Sequence, residues 1–255
     1  MTIDPAWGWG VLLGVLGVVF GSFIATLAIR WPAGRVIGHG RSECDSCGKG
    51  LRAGELVPVL SYLLQRGRCR GCGAPIRMSH VLTELTGGAI GVAAAIASPD
   101  PAGAAGAVFG WLLLTLAALD VAALWLPNAL TATLAVTGLG TGLLGLDPPL
   151  DERLIGGAAG FGVLWLVAWG YKRLRGRQGL GGGDPKLFGG IGLWLGWHAL
   201  PLVLLAACLI GFAGIFGLML GGQKVTATDR LPFGVMLAAA AFAVWLGLAI
   251  GPIPG

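Results

Sequence analysis

Two aspartates carry the strongest chemical signal in this chain. Asp184 stands in Gly179-Leu180-Gly181-Gly182-Gly183-Asp184-Pro185-Lys186, between a glycine run and an apolar segment that opens at Leu187. Asp120 follows the apolar run Ala102 to Leu119 and precedes Leu126-Pro127-Asn128. A carboxylate at the lip of a membrane segment is costly to keep, and such acids usually have work to do. As a pair they suit hydrolysis: one carboxylate activates water as a base, and the other, protonated, acts as the acid. Two acids a few Å apart resist double ionisation and share a proton, so their titration belongs to the pair. Each residue alone also has a plainer reading. Asp120 could be an interfacial acid that reaches back to water, and Asp184 followed by Pro185 has the pattern of a helix N-cap with proline at N1. Glycines 181, 182 and 183 would let a substrate backbone approach Asp184, or would simply make a flexible loop.

A second constellation is Cys44-x-x-Cys47 and Cys69-x-x-Cys72. Two such turns, each aiming two thiolates at one point, predict a tetrahedral four-cysteine zinc site. Four protein ligands leave no open coordination position, so the ion is expected to be structural. The competing reading is a pair of disulfides, which a reducing cytoplasm would disfavour. Cys208, alone in an apolar segment, reads as a small buried hydrophobe.

The elements that must position these groups are membrane helices. The 255 residues are 55% hydrophobic, with mean hydropathy +0.81, and only 11% are charged, where a soluble domain carries roughly 25%. The 47 glycines suit close helix packing in lipid. Gly8 to Ile29 runs uncharged and is long enough to cross roughly 30 Å of hydrocarbon. Met1 to Trp7 holds one acid and no base, unlike a cleavable secretory signal. Further apolar runs lie at Val81–Ser98, Ala102–Leu119, Ala129–Leu146, Leu154–Tyr171, Leu187–Leu200, Pro201–Leu220 and Leu231–Ile250, with Trp197, His198 and Pro201 marking a hairpin. The fold class expected is an all-α polytopic membrane protein of about eight transmembrane helices, with a small cytoplasmic zinc-ribbon-like domain inserted after the first. Its parts are a first transmembrane helix at 1–30, the four-cysteine domain at 31–80 and a seven-helix bundle at 81–255.

Charge supports that topology. Of the 17 Lys and Arg residues, all but Arg153 fall in the segments Arg30–Arg77, Lys172–Lys186 and Lys224–Arg230. Basic residues mark cytoplasmic loops, which puts the N-terminus outside and both aspartates on the cytoplasmic face. Asp100, Asp147, Asp151, Glu152 and Arg153 fall to the outer loops. The net charge of +5 is therefore a topology signal, and no nucleic-acid partner is expected. Other hydrolytic chemistries lack their motifs: there is no Gly-x-Ser-x-Gly and no His-Glu-x-x-His, and His39, His80 and His198 are scattered.

These blocks together resemble the bacterial type IV prepilin peptidases, a family of membrane aspartic proteases that also act as N-methyltransferases. Gly21-Ser22-Phe23 with Arg30-Trp31-Pro32 is similar to the family's opening block. Leu56 to Leu63, with Arg66 to Arg70, lies between the cysteine pairs as in the family's cytoplasmic domain, and Val81 to Gly87 is similar to the start of its second span. Asp120 stands at the family's first catalytic aspartate, Gly181-Gly182-Gly183-Asp184 with Lys186 matches the motif around the second, and Leu231-Pro232-Phe233-Gly234 resembles the opening of the last span. The chain departs from the pattern at Ala25, where Asn is usual, at Asn128, where many members carry Asp, and at Pro185. The resemblance implies Asp120 and Asp184 as the catalytic pair, with Gly181, Gly183 and Lys186 supporting them. It implies type IV prepilins or type II secretion pseudopilins as substrates, cut on the cytoplasmic face of the inner membrane, and S-adenosylmethionine as methyl donor. No glycine fingerprint identifies the methyl-donor site. Two other functions fit the same residues: a transporter or proton relay through the two acids, and a silent membrane scaffold whose zinc domain binds partners.

Overall fold

The computed structural model describes residues 5–35, 42–223, 226 and 231–251. His39, Lys224 and Arg230 lie outside the described residues. The helices are α1 (Pro5–Arg30), α2 (Leu60–Leu64), α3 (Met78–Ala97), α4 (Pro101–Ala123), α5 (Asn128–Leu143), α6 (Leu150–Arg175), α7 (Asp184–Leu195), α8 (Leu200–Leu220) and α9 (Phe233–Ile250). Each apolar run of the sequence lies on a helix, and the described residues contain no strand beyond isolated bridges at Glu43–Gly50 and Arg68–Pro75. Six helices, α1, α3, α4, α6, α8 and α9, are long and apolar enough to cross a membrane. The protein is a multi-pass membrane protein. The other two of the eight expected spans are shorter, 16 residues in α5 and 12 in α7. The glycine run before Asp184 starts α7 late, and Gly196, at φ +73°, ends it before the turn into α8.

The chain divides into two units, residues 1–107 and 108–255, with the boundary inside α4. In the first, α1 and α3 pack backbone against backbone. A Cβ at Gly21 would stand 2.5 Å from the Thr83 carbonyl oxygen and 2.6 Å from the Glu84 Cα, so only glycine allows this approach. Small residues at such contacts are the usual means of helix association in lipid, where apolar burial gives no advantage.

In the second unit α7 is central, with Leu187, Phe188, Ile191, Trp194 and Leu195 all buried. Gly138 of α5 and Gly156 and Gly160 of α6 let their helices close on it. Phe109 of α4 stacks on Trp194 at 4.8 Å, and the Trp194 Nε1–H donates to the Leu134 carbonyl at 2.8 Å. On α8, Leu202, Leu205, Leu209, Phe212 and Phe216 face outward, the ordinary surface of a helix in lipid. Cys208 shares this exposure, contrary to the expectation that it is buried; lipid is as apolar as a protein core, so composition alone does not separate the two sites.

Arg153 is the main departure from the charge reading. It lies in the first turn of α6, not in a loop, and is 1% exposed. Its Nε donates to the Pro148 carbonyl at 2.7 Å. Nη1 donates to Gly138, Leu193 and Trp194 at 3.0, 3.0 and 3.1 Å, and Nη2 to Leu146 and Asp147 at 3.1 and 2.7 Å. One guanidinium thereby serves α5, the loop before α6, and the last turn of α7, whose terminal carbonyls have no partner within their own helix.

Candidate aspartate site and metal centre

Asp120 lies in the last turn of α4 and Asp184 is the first residue of α7; each is 5% exposed. Their supports come from elsewhere in the second unit. The Val235 N–H, in the first turn of α9, donates to Asp120 Oδ2 at 3.2 Å. That helix end presents free amides and a positive partial charge to the carboxylate. A Cβ at Gly234 would come 2.8 Å from the same oxygen, so glycine is what lets the α9 backbone reach Asp120.

Asp184 does not cap its helix. Gly183 occupies the N-cap position without a side-chain bond, and Asp184 Oδ2 turns back to accept the Gly181 N–H at 2.9 Å. The glycine run is also used differently from the sequence expectation. Gly183 abuts Leu126, whose Cβ would stand 2.6 Å from an added Cβ, and Gly181 lies against Asp184 itself. Gly182 alone of the three faces open space. Two of the three glycines therefore serve the protein's own packing.

Leu126 connects the two halves of the site. Its side chain touches the position of Gly183, next to Asp184, and that of Gly234, next to Asp120. Lys186 Nζ donates to Asn128 Oδ1 at 2.7 Å, tying the first turn of α7 to that of α5. The structure thus brings Asp120, Asp184, Gly181, Gly183 and Lys186 together. It adds Leu126, Asn128, Gly234 and Val235, whose roles no local pattern disclosed. Such a site can hold one proton between two buried acids beside a loop open at Gly182.

The four cysteines form a separate cluster in the first unit, with all four Sγ atoms within 4.8 Å of one another and Cys44 and Cys72 at 4.0 Å. A metal held by four thiolates at about 2.3 Å would set its sulfurs roughly 3.8 Å apart, so the cluster is compatible with one ion. The two turns are built alike. Gly48 and Gly73 donate to the Cys44 and Cys69 carbonyls, both at 2.9 Å, and lie at φ +69° and +72°, a conformation natural to glycine. The Gly71 N–H donates to Cys69 Sγ at 3.3 Å. Amides of Cys72 and Gly71 lower the Cys69 thiol from 9.0 to about 7, favouring the thiolate that binds metal. Cys69→Ser is expected to abolish metal retention, read as loss of one bound ion per chain by elemental analysis, and chelation is expected to lower the melting temperature of the intact protein but not of the variant.

Comparison with known proteins finds a family match in each part of the chain. Residues 15–98 match the Bacterial Peptidase A24 N-terminal domain, and residues 107–218 match the Type IV leader peptidase family. A "Prepilin leader peptidase/N-methyltransferase" of Burkholderia pseudomallei (strain K96243) is 45% identical over 202 residues, 78% of this chain and 64% of that protein, so the match spans just under two thirds of that relative's length. Proteins of the same description are 40% identical in Aeromonas hydrophila, over 83% of this chain and 72% of that one, and 37% identical in Klebsiella pneumoniae, over 78% and 90%. No solved structure matches. With two family models matched along most of its length and a relative 40% identical over 83% of it, the chain belongs to the type IV leader peptidase family.

Proposed function

We propose that this protein is an aspartic endopeptidase of the membrane that removes the short basic leader of type IV prepilins and type II secretion pseudopilins, and that it also methylates the new N-terminal amine. The observation that carries the reading is the pair of buried carboxylates, Asp120 and Asp184, gathered at two helix ends around Leu126. With one acid ionised and the other protonated, the first takes a proton from water as its oxygen attacks the scissile carbonyl. The second protonates the carbonyl oxygen, and collapse of the tetrahedral intermediate passes a proton to the leaving amine. A proton relay would need further buried acids along a path across the membrane; among the described residues the other buried acid is Glu84, in the first unit.

The basic clusters support an inner-membrane orientation with the N-terminus outside and the cysteine module and both acids at the cytoplasmic face. The thiolate cluster suits structural zinc, which would stabilise a module too small for a large core. S-adenosylmethionine would supply the methyl group.

The test is to incubate the purified protein in detergent with a prepilin and S-adenosylmethionine, and follow leader release and methyl incorporation separately. Release of an intact leader with methyl on the new N-terminus is expected; a prepilin left uncut defeats the peptidase reading. Gly234→Ala is expected to slow cleavage by about tenfold to a hundredfold at near wild-type stability, because the added carbon displaces Asp120. Cleavage kinetics with a thermal melt would check it.

A further inference from the structure

The turn between α4 and α5 is short, and its course is fixed at several points. Leu124 takes φ +49°, in the left-handed region where glycine is usual, and its N–H donates to the Asp120 carbonyl at 2.8 Å, closing the last turn of α4. Strain of this kind persists where the surroundings hold it in place, and it gathers at functional sites. Pro127, at the N-cap of α5, limits the backbone of the preceding Leu126 to extended conformations. Asn128 then accepts the Lys186 Nζ–H at 2.7 Å, which ties the end of the turn to the first turn of α7. The turn thus runs from the helix end that carries Asp120 to the helix start that carries Asp184.

What it holds in place is one side chain. Leu126 is buried, while Leu124 and Trp125 just before it are exposed. The Leu126 Cδ1 methyl stands 3.1 Å from where a Cβ on Gly183 would lie and 3.3 Å from where a Cβ on Gly234 would lie. Gly183 directly precedes Asp184, and Gly234 directly precedes Val235, whose N–H donates to Asp120. A single methyl group therefore bears on the backbone next to each acid, and glycine at both positions is what admits it.

We propose that Leu126 is a positioning residue for peptide cleavage: its side chain is the spacer between the Gly183–Asp184 backbone and the α9 end that holds Asp120. Its shape sets how the two acids meet the scissile bond. Having no polar side-chain atom, it acts through Gly183 and Gly234 and takes no part in proton transfer itself. The proposal rests on the peptidase reading above and adds to it the apolar part that spaces the pair. Misplacement by about 1 Å can cost a hundredfold in rate, so a spacer is expected to show in the chemical step.

The experiment measures initial rates of prepilin cleavage against substrate concentration for the full-length protein in detergent, as wild type, Leu126→Met, Leu126→Ile and Leu126→Ala, each with a thermal melt. Leu126→Met keeps an unencumbered Cβ and a similar reach, and should hold kcat within about threefold. Leu126→Ile keeps the volume but moves the branch to Cβ, the carbon that already lies 2.6 Å from an added Cβ at Gly183. Its melt should stay within about 5 °C of wild type, while kcat falls about tenfold to a hundredfold with KM within about twofold. Leu126→Ala should lose kcat by at least as much. Because Leu126→Ile preserves the buried volume, the test does not depend on Leu126→Ala remaining folded. Leu126→Ile as fast as wild type, a change in KM alone, or losses in kcat that simply follow the melting temperature across the variants overturns the spacer and leaves the peptidase in place. A wild-type protein that leaves prepilin uncut removes the peptidase reading and this role with it.

Discussion

Asp120→Asn and Asp184→Asn should each lower prepilin cleavage by about a hundredfold to ten-thousandfold, the range that general acid–base groups contribute. Asparagine keeps the shape of aspartate, and its carbonyl oxygen can still accept the Val235 N–H at position 120 or the Gly181 N–H at position 184. Folding should survive, and a thermal melt close to wild type would show it. What is lost is the capacity to take and return a proton. Because the two acids act as a unit, the double variant should be no slower than the slower single one. Methylation of a pilin supplied already cleaved should continue in all three. Near wild-type cleavage by either single variant would reduce that residue to a structural acid and overturn the dyad.

Removal of the Arg153 side chain should have the largest effect on stability. Arg153→Met keeps an unbranched chain but leaves six carbonyl groups in three segments without their donor. Unpaired buried polar groups cost about 1–3 kcal/mol each, reduced where water or relaxation can reach them, so a net loss on the order of 4 kcal/mol is expected. At roughly 2–4 °C per kcal/mol for a chain of this size, the melting temperature should fall by about 10 °C. Arg153→Lys should rescue little, since an ammonium has three donors and no planar fork. Cleavage should fall with stability, because the same guanidinium anchors the far end of the helix that begins at Asp184. A melt within about 2 °C of wild type would show that the bonds are replaceable.

What the sequence disclosed follows from how local each signal is. Apolar runs separated by charged or glycine-rich stretches located every membrane helix, because partition into lipid depends on composition within one segment. The cysteine pairs were equally legible, since each turn needs only Cys-x-x-Cys and the glycine after it. Asp120 and Asp184 stood out as acids beside apolar runs. Their supports did not, because Val235 reaches Asp120 across 115 residues and Lys186 reaches Asn128 across 58. Arg153 was misread for the same reason. Charge counting placed it in an outer loop, while two of its acceptors, Leu193 and Trp194, lie 40 and 41 residues away. The N-cap alternative at Asp184-Pro185 is not the one realised, because the glycine loop before it gives the carboxylate a partner at Gly181.

The brevity of α7 bears on the supply of the second reactant in hydrolysis. Twelve residues rise about 18 Å, against a hydrocarbon thickness of about 30 Å, and α5 beside it reaches about 24 Å. Both ends of α7 are polar, with Asp184 at one and the Arg153 carbonyl cluster at the other. Because α7 is buried within its unit, protein and not lipid surrounds those polar ends, and polar backbone at that depth is tolerated where it is buried in protein or lines a water-filled space. A helix too short to span the hydrocarbon therefore leaves room at its ends for the water that hydrolysis consumes.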